Sequence, residues 1–138
     1  MAHVHFKNSN NVVKIMEAIK NEDAAMLRFL APMEAENRRF WNGGIKNELP
    51  LEVAMKCKNF EIVKEITPYI AIAGDDYYLR KAVTVGDIDI FKHIFEIGTD
   101  QDKEWNREWI QKHNIFEESI KIDPIFWRQV RQCVKKDE

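Results

Sequence analysis

The sequence predicts an all-α chain made of a repeated pair of short antiparallel helices, and three observations predict it. One apolar layout recurs along the 138 residues. The spacing inside each copy follows the helical period rather than the alternation of a strand. Five Gly and four Pro are too few for a fold built from loops.

The copies can be taken in order of clarity. In residues 51–66, Leu51 opens, the small residue Ala54 follows, and an apolar cluster begins at Phe60. Leu79, Ala82 and the cluster Ile88, Ile90, Phe91 and Ile94 repeat that layout, with Gly86-Asp87 as the break between them. Run backwards, the template finds Ile15, Ala18 and the cluster Ala24, Met26, Leu27 and Leu30. Run forwards, it finds Ile115 and the cluster Pro124, Phe126, Trp127 and Val130, with Glu118 where the small residue belongs. The cluster starts, Ala24, Phe60, Ile88 and Pro124, are 36, 28 and 36 residues apart, within the range of helix-pair repeats. The expected repeats therefore lie near 11–33, 48–70, 76–98 and 114–134 of a single domain, with flexible ends at 1–9 and 135–138.

Each element has a local reason. A first helix pressed between neighbouring units needs an Ala-sized residue where backbones approach. Gly86 stands where a first helix must end, a position that often requires a left-handed backbone. Asp123 before Pro124 reads as an N-cap followed by the first helical residue. Two insertions interrupt the array. Residues 32–48 contain Arg38-Arg39-Phe40-Trp41-Asn42-Gly43-Gly44, and Asn-Gly is the favoured pair for a two-residue hairpin. A protruding finger is expected there, with Asn47 tolerating a left-handed position before the next helix. Phe40 and Trp41 either display themselves on that finger or fold back on the neighbouring helices. Residues 99–114 include Trp105 and Trp109, four apart and so on one helical face, after an acidic start that suits a helix dipole. They predict an extra helix before the last repeat, its tryptophan face either covering the end of the stack or exposed for binding.

Composition narrows the function. Twenty-one Lys and Arg against 23 Asp and Glu give a net charge of -2, without the basic footprint of a nucleic-acid binder. Cys57 and Cys133 are 76 positions apart and outside Cys-x-x-Cys spacing, which suggests reduced thiols in a reducing compartment. No apolar run approaches the roughly 18 residues of a membrane span, and residues 1–7 lack the pattern of a signal peptide. A soluble, cytoplasmic chain is expected, with no membrane partner.

Residues Leu49-Pro50-Leu51-Glu52-Val53-Ala54, followed by Asn59-Phe60-Glu61-Ile62-Val63-Lys64, resemble the ankyrin repeat, whose signature runs T-P-L-H-x-A-A and then G-H-x-E-I-V-K. Leu79 to Ala82 with Gly86-Asp-Ile-Asp-Ile-Phe-Lys92 and the closing Gly98 is similar in its second half. The departures are specific. No copy carries the histidine of T-P-L-H, Lys58 stands where Gly is expected, and the 28-residue spacing leaves little room for a finger after the second helix. Another helical repeat would fit the same spacing.

The resemblance implies an ankyrin-like solenoid that binds a partner protein on a concave face made of finger loops and late first-helix positions. Carried onto this sequence, those positions are Lys20 and Asn21, then Lys46, Glu48, Lys56 and Cys57, then Asp76, Thr84 and Val85, with Arg39 and Trp41 joining from the finger. Such a set mixes both charges with apolar groups, as a protein epitope does. The implied role is to inhibit or tether the partner, which would suit a viral, phage or bacterial factor acting on a host protein or toxin. The alternative is a structural subunit in which the Trp105 and Trp109 face forms a permanent homo- or hetero-oligomer.

Chemistry finds little foothold. No phosphate-binding glycine loop, G-x-S-x-G elbow or H-E-x-x-H motif occurs, so no enzyme and no cofactor are expected. His3, His5, His93 and His113 have no Cys or carboxylate at ligand spacing, so no metal site is expected. Lys56 and Lys58 flank Cys57 and would lower its pKa if the thiol were exposed, although a spectator thiol is the simpler reading. Glu117-Glu118 and Asp75-Asp76 read as solvated turns and helix starts.

Overall fold

The computed structural model describes residues 10–72, 76–112 and 122–135, and all the regular structure among them is helical. The chain divides into two compact units, Met1–Ala71 and Ile72–Glu138.

In the first unit, α1 (Asn10–Lys20) buries Val12, Ile15, Met16, Ala18 and Ile19, the one-sided stripe that a 3.6-residue period produces. It ends in a Schellman turn. Glu22 takes φ 56°, its N–H donates to the Ile19 carbonyl, and the Asp23 N–H donates to the Ala18 carbonyl. Asp23 then caps α2 (Ala24–Leu30) by accepting from the Met26 N–H at 3.1 Å, so one short turn both closes a helix and opens the next. The second pair repeats this device. α4 (Pro50–Lys56) begins with proline as its first residue, and α5 (Phe60–Ile66) is capped by Asn59, which accepts from the Ile62 N–H at 3.3 Å. Between them Lys58 takes φ 55°.

Like packs on like in this unit: α1 lies against α4 and α2 against α5, while α1 with α2 and α4 with α5 form the pairs. Ala54 is 0% exposed, as an Ala-sized residue at a close approach should be. Arg28 on α2 spans the second-helix row, reaching Glu61 and, at 2.7 Å, Glu65 on α5.

The expected finger at Asn42-Gly43 is a helix instead. Residues Arg38–Gly43 form α3, capped by Asn37, which accepts from the Phe40 N–H at 3.1 Å. A hairpin turn does occur, but at Lys46 and Asn47, which take φ 50° and 63°. Ile45 and Glu48 exchange both backbone hydrogen bonds around it, at 3.1 and 2.9 Å. Gly44 leads into the turn at φ 73°, where a Cβ would lie 1.9 Å from the Glu48 carbonyl oxygen. Only glycine fits there.

In the second unit, α6 (Tyr77–Val85) ends at Gly86, φ 80°, and Asp87 caps α7 (Ile88–Ile97) by accepting from the Asp89 and Ile90 N–H groups. Ala82 is 0% exposed. α8 (Asp100–Lys112) is the helix expected near residues 99–114. It opens with a capping box in which Thr99 and Asp102 each accept from the other's backbone N–H at 3.1 Å. α9 (Pro124–Val134) starts as predicted, with Asp123 accepting from the Ile125 N–H and Pro124 in the first position. α7 packs on α6 and on α9, and α8 packs on α9. The Ile115 opener and Glu118 of the fourth copy lie outside the described residues, as do the two ends 1–9 and 136–138.

Candidate functional site

Of the polar positions expected on the first unit, Lys20 and Asn21 lie at the C-terminal end of α1, Lys56 and Cys57 at that of α4, and Lys46 and Glu48 in the turn that precedes α4. α1 delivers Lys20 and Asn21 at its end, both exposed. The ammonium of Lys20 meets the Glu48 carboxylate at 2.7 Å, with the side chains 47% and 41% exposed, so the turn at Lys46 and Asn47 is tied to the end of α1. The Cys57 thiol donates to the Ile19 carbonyl at 3.8 Å, which places the C-cap of α4 beside the last turn of α1. Lys46 and Lys56 are exposed. The structure therefore joins Lys20 with Glu48, and Cys57 with the end of α1.

Trp41 does not belong to this surface. It is 0% exposed, stacked on Tyr69 with centroids 5.0 Å apart, and its indole N–H donates to the Glu34 carbonyl at 2.8 Å. The pattern of α3 turns Phe40 and Trp41 inward together, and the two rings meet edge to face at 4.8 Å. Arg39, just before them in sequence, is exposed.

Asp76 in the second unit is likewise committed to structure. Its carboxylate accepts from Arg80 at 2.6 Å and from the Trp109 indole N–H at 3.3 Å. Partial burial pushes the Asp76 carboxyl up, but the hydrogen bonds from Arg80 and Trp109, with the charge of Arg80, outweigh it and hold the group below its ordinary value. Trp109 is sandwiched, its ring stacked on Trp127 at 6.3 Å and the Arg80 guanidinium 4.4 Å from its centroid. Trp105, expected to share its fate, is 56% exposed. Thr84 is exposed, its hydroxyl donating to the Arg80 carbonyl at 3.1 Å, and Val85 is half-buried.

Burial, with the carboxylate of Glu22 adding to it, pushes the Cys57 thiol up rather than down. The flanking lysines do not activate it, and the thiol behaves as a weak donor. Two residues at this surface escaped the sequence reading. The Asn59 amide donates to Glu22 at 3.1 Å while its carbonyl oxygen caps α5, so one side chain joins the end of α1 to the start of α5. The available signal was an Asp or Asn immediately before every cluster start: Asp23, Asn59, Asp87 and Asp123.

Among the described residues, no group of three or more His, Cys, Asp or Glu is placed to hold a metal ion, and no helix is long and apolar enough to cross a membrane. Comparison with family models, with curated proteins and with solved structures returns no match to this chain.

Proposed function

We propose that this chain is a small ankyrin-like binding module, without catalytic activity, that holds a partner protein and thereby blocks or tethers it. The observation that carries the reading is the layering of the first unit, first helix on first helix and second on second, with the same capped break inside each pair. Such layers stack rather than close around a pocket, and they leave side chains at the helix ends and the connecting turn facing water. In this reading the partner contacts Lys20, Asn21, Lys46, Glu48 and Lys56 in the first unit, with Arg39 beside them in sequence, and Thr84 and Val85 in the second. The exposed Lys20–Glu48 pair contributes at most about 1 kcal/mol to folding, which leaves both charges available to a partner. A viral, phage or bacterial factor acting on a host protein or toxin is one setting in which such a blocking module would serve.

The test is affinity capture from lysate with the tagged chain and with a Lys46→Glu/Lys56→Glu variant. Proteins retained by the parent and lost by the variant support the epitope. Identical capture by both would remove these lysines from the surface, and no capture above the tag control would count against a binding role.

Trp105 favours a second reading. An indole that is 56% exposed, together with Ile125 at 66%, suits a permanent oligomer. Light scattering at micromolar concentration separates the readings: the subunit reading expects a dimer that Trp105→Ala dissociates, and the module reading expects a monomer.

A further inference from the structure

Within the second unit, α7, α8 and α9 leave a groove of about 740 Å³, in the size range of sites that enclose a ligand rather than a water molecule. Ile88 supplies the accessible part of an apolar floor that also includes the largely covered Phe95, and Lys92, Arg107, Arg128 and Lys135 line the groove against the carboxylate of Glu96. That carboxylate is already engaged by Lys103 at 3.5 Å. Arg107 is fixed as a wall, its guanidinium donating to the Val134 carbonyl at 2.7 Å and lying 5.5 Å from the centre of the Phe95 ring. Lys92, Arg128 and Lys135 form no ion pair among the described residues, so the groove carries uncompensated positive charge in a chain whose net charge is negative.

We propose that this groove binds an acidic peptide segment of a partner protein, carboxylates to the lysines and arginines and an apolar side chain to the floor. The arrangement of charge selects this ligand. Arg128 and Lys135 are seven positions apart, about 10 Å along a helix, so the cations are set out along the groove and not drawn from one turn of backbone. They match carboxylates distributed along a chain. Gln129 and Gln132 lie between them on α9, and an amide can both donate to a peptide carbonyl and accept from its N–H. A nucleic acid would also distribute its charge, but the groove lining offers it no exposed ring to stack on, since Phe95 is only 3% exposed. Cys133 adds to the apolar wall, because burial keeps its thiol protonated. Neither the groove nor its charge depends on the face of α1 and α4 proposed above.

The experiment probes an array of random decapeptides with the full chain, and measures the binding of the fluorescein-labelled best peptide and of a labelled ten-residue oligo-dT by anisotropy. The bound peptides should be enriched in Asp and Glu next to Leu, Ile or Phe. Lys92→Glu/Arg128→Glu should weaken the best peptide about tenfold or more, while Lys46→Glu/Lys56→Glu leaves it unchanged. Amide resonances of Gln129 and Gln132 in the unmodified chain should shift on titration, which keeps the test independent of whether the charge-reversed variant folds. An array that selects basic or neutral peptides or none, equal affinity in the Lys92/Arg128 variant, tighter binding of oligo-dT, or shifts confined to α1 and α4 would each overturn the proposal.

Discussion

Glu22, Lys58 and Gly86 occupy one and the same backbone position, four residues after the small residues Ala18, Ala54 and Ala82, and all three have positive φ. Only the third is glycine. A side chain in the left-handed region costs roughly 1–2 kcal/mol, part of which glycine returns through its freer unfolded chain. Lys58→Gly is therefore expected to stabilise the protein by about 0.5–1 kcal/mol, read as a higher urea midpoint at unchanged slope. Gly86→Ala should do the reverse by about 1 kcal/mol; a Cβ there meets nothing within 4 Å, so the cost is conformational alone. Trp41 gives the largest effect at a single position. Removing a fully buried indole costs about 3–5 kcal/mol, and Trp41→Ala should lower the melting temperature steeply, which an exposed finger residue would not do. Asp76 has a pH signature. Its folded carboxyl titrates below its ordinary value, so its contribution is present above the unfolded pKa near 4 and fades as the pH falls through the folded one. Asp76→Asn should narrow the difference in melting temperature between pH 7 and pH 3.

The helices themselves depend on a short vocabulary. Five of the described helices begin at an Asp or Asn whose side chain accepts from an N–H two or three residues on: Asp23, Asn37, Asn59, Asp87 and Asp123. Because α5 has only seven residues, it has little internal cooperativity and depends on this cap and on packing. Asn59→Ala should cost about 1 kcal/mol, measurable by chemical denaturation, and more than that if the bond to Glu22 also matters. The helix pairs were readable because their apolar positions recur at the helical period and their small residues recur with them. The start of α9 was readable from Asp123-Pro124. α3 was not, because Asn42-Gly43 makes a hairpin only between two strands; here Asn37 caps a helical turn first, and Phe40 and Trp41 need a core to enter. The turn chemistry was sound but belongs to Lys46-Asn47. Among the candidate site residues, Lys20 and Glu48 do meet, whereas the inward turn of Trp41 and the engagement of Asp76 by Trp109 depend on partners elsewhere in the chain. The raised thiol of Cys57 has the same origin: its neighbours in sequence are cations, but burial and the distant Glu22 decide its chemistry.

Within each unit, helix pairs supply the core and leave their polar ends and one basic groove to water. This division of labour is what makes a binding role the economical reading, since the ionisable groups described here are occupied in caps, braces and ion pairs, displayed at the surface, or gathered in the groove of the second unit. Packing of first helix on first and second on second in the unit Met1–Ala71 underlies that reading. Methyl–methyl nuclear Overhauser effects on selectively labelled protein report that packing directly. Cross-peaks should join methyl groups of α1 to those of α4, and methyl groups of α2 to those of α5. Their absence, with α1 and α2 seeing only each other, would contradict the layered arrangement and the binding role that rests on it.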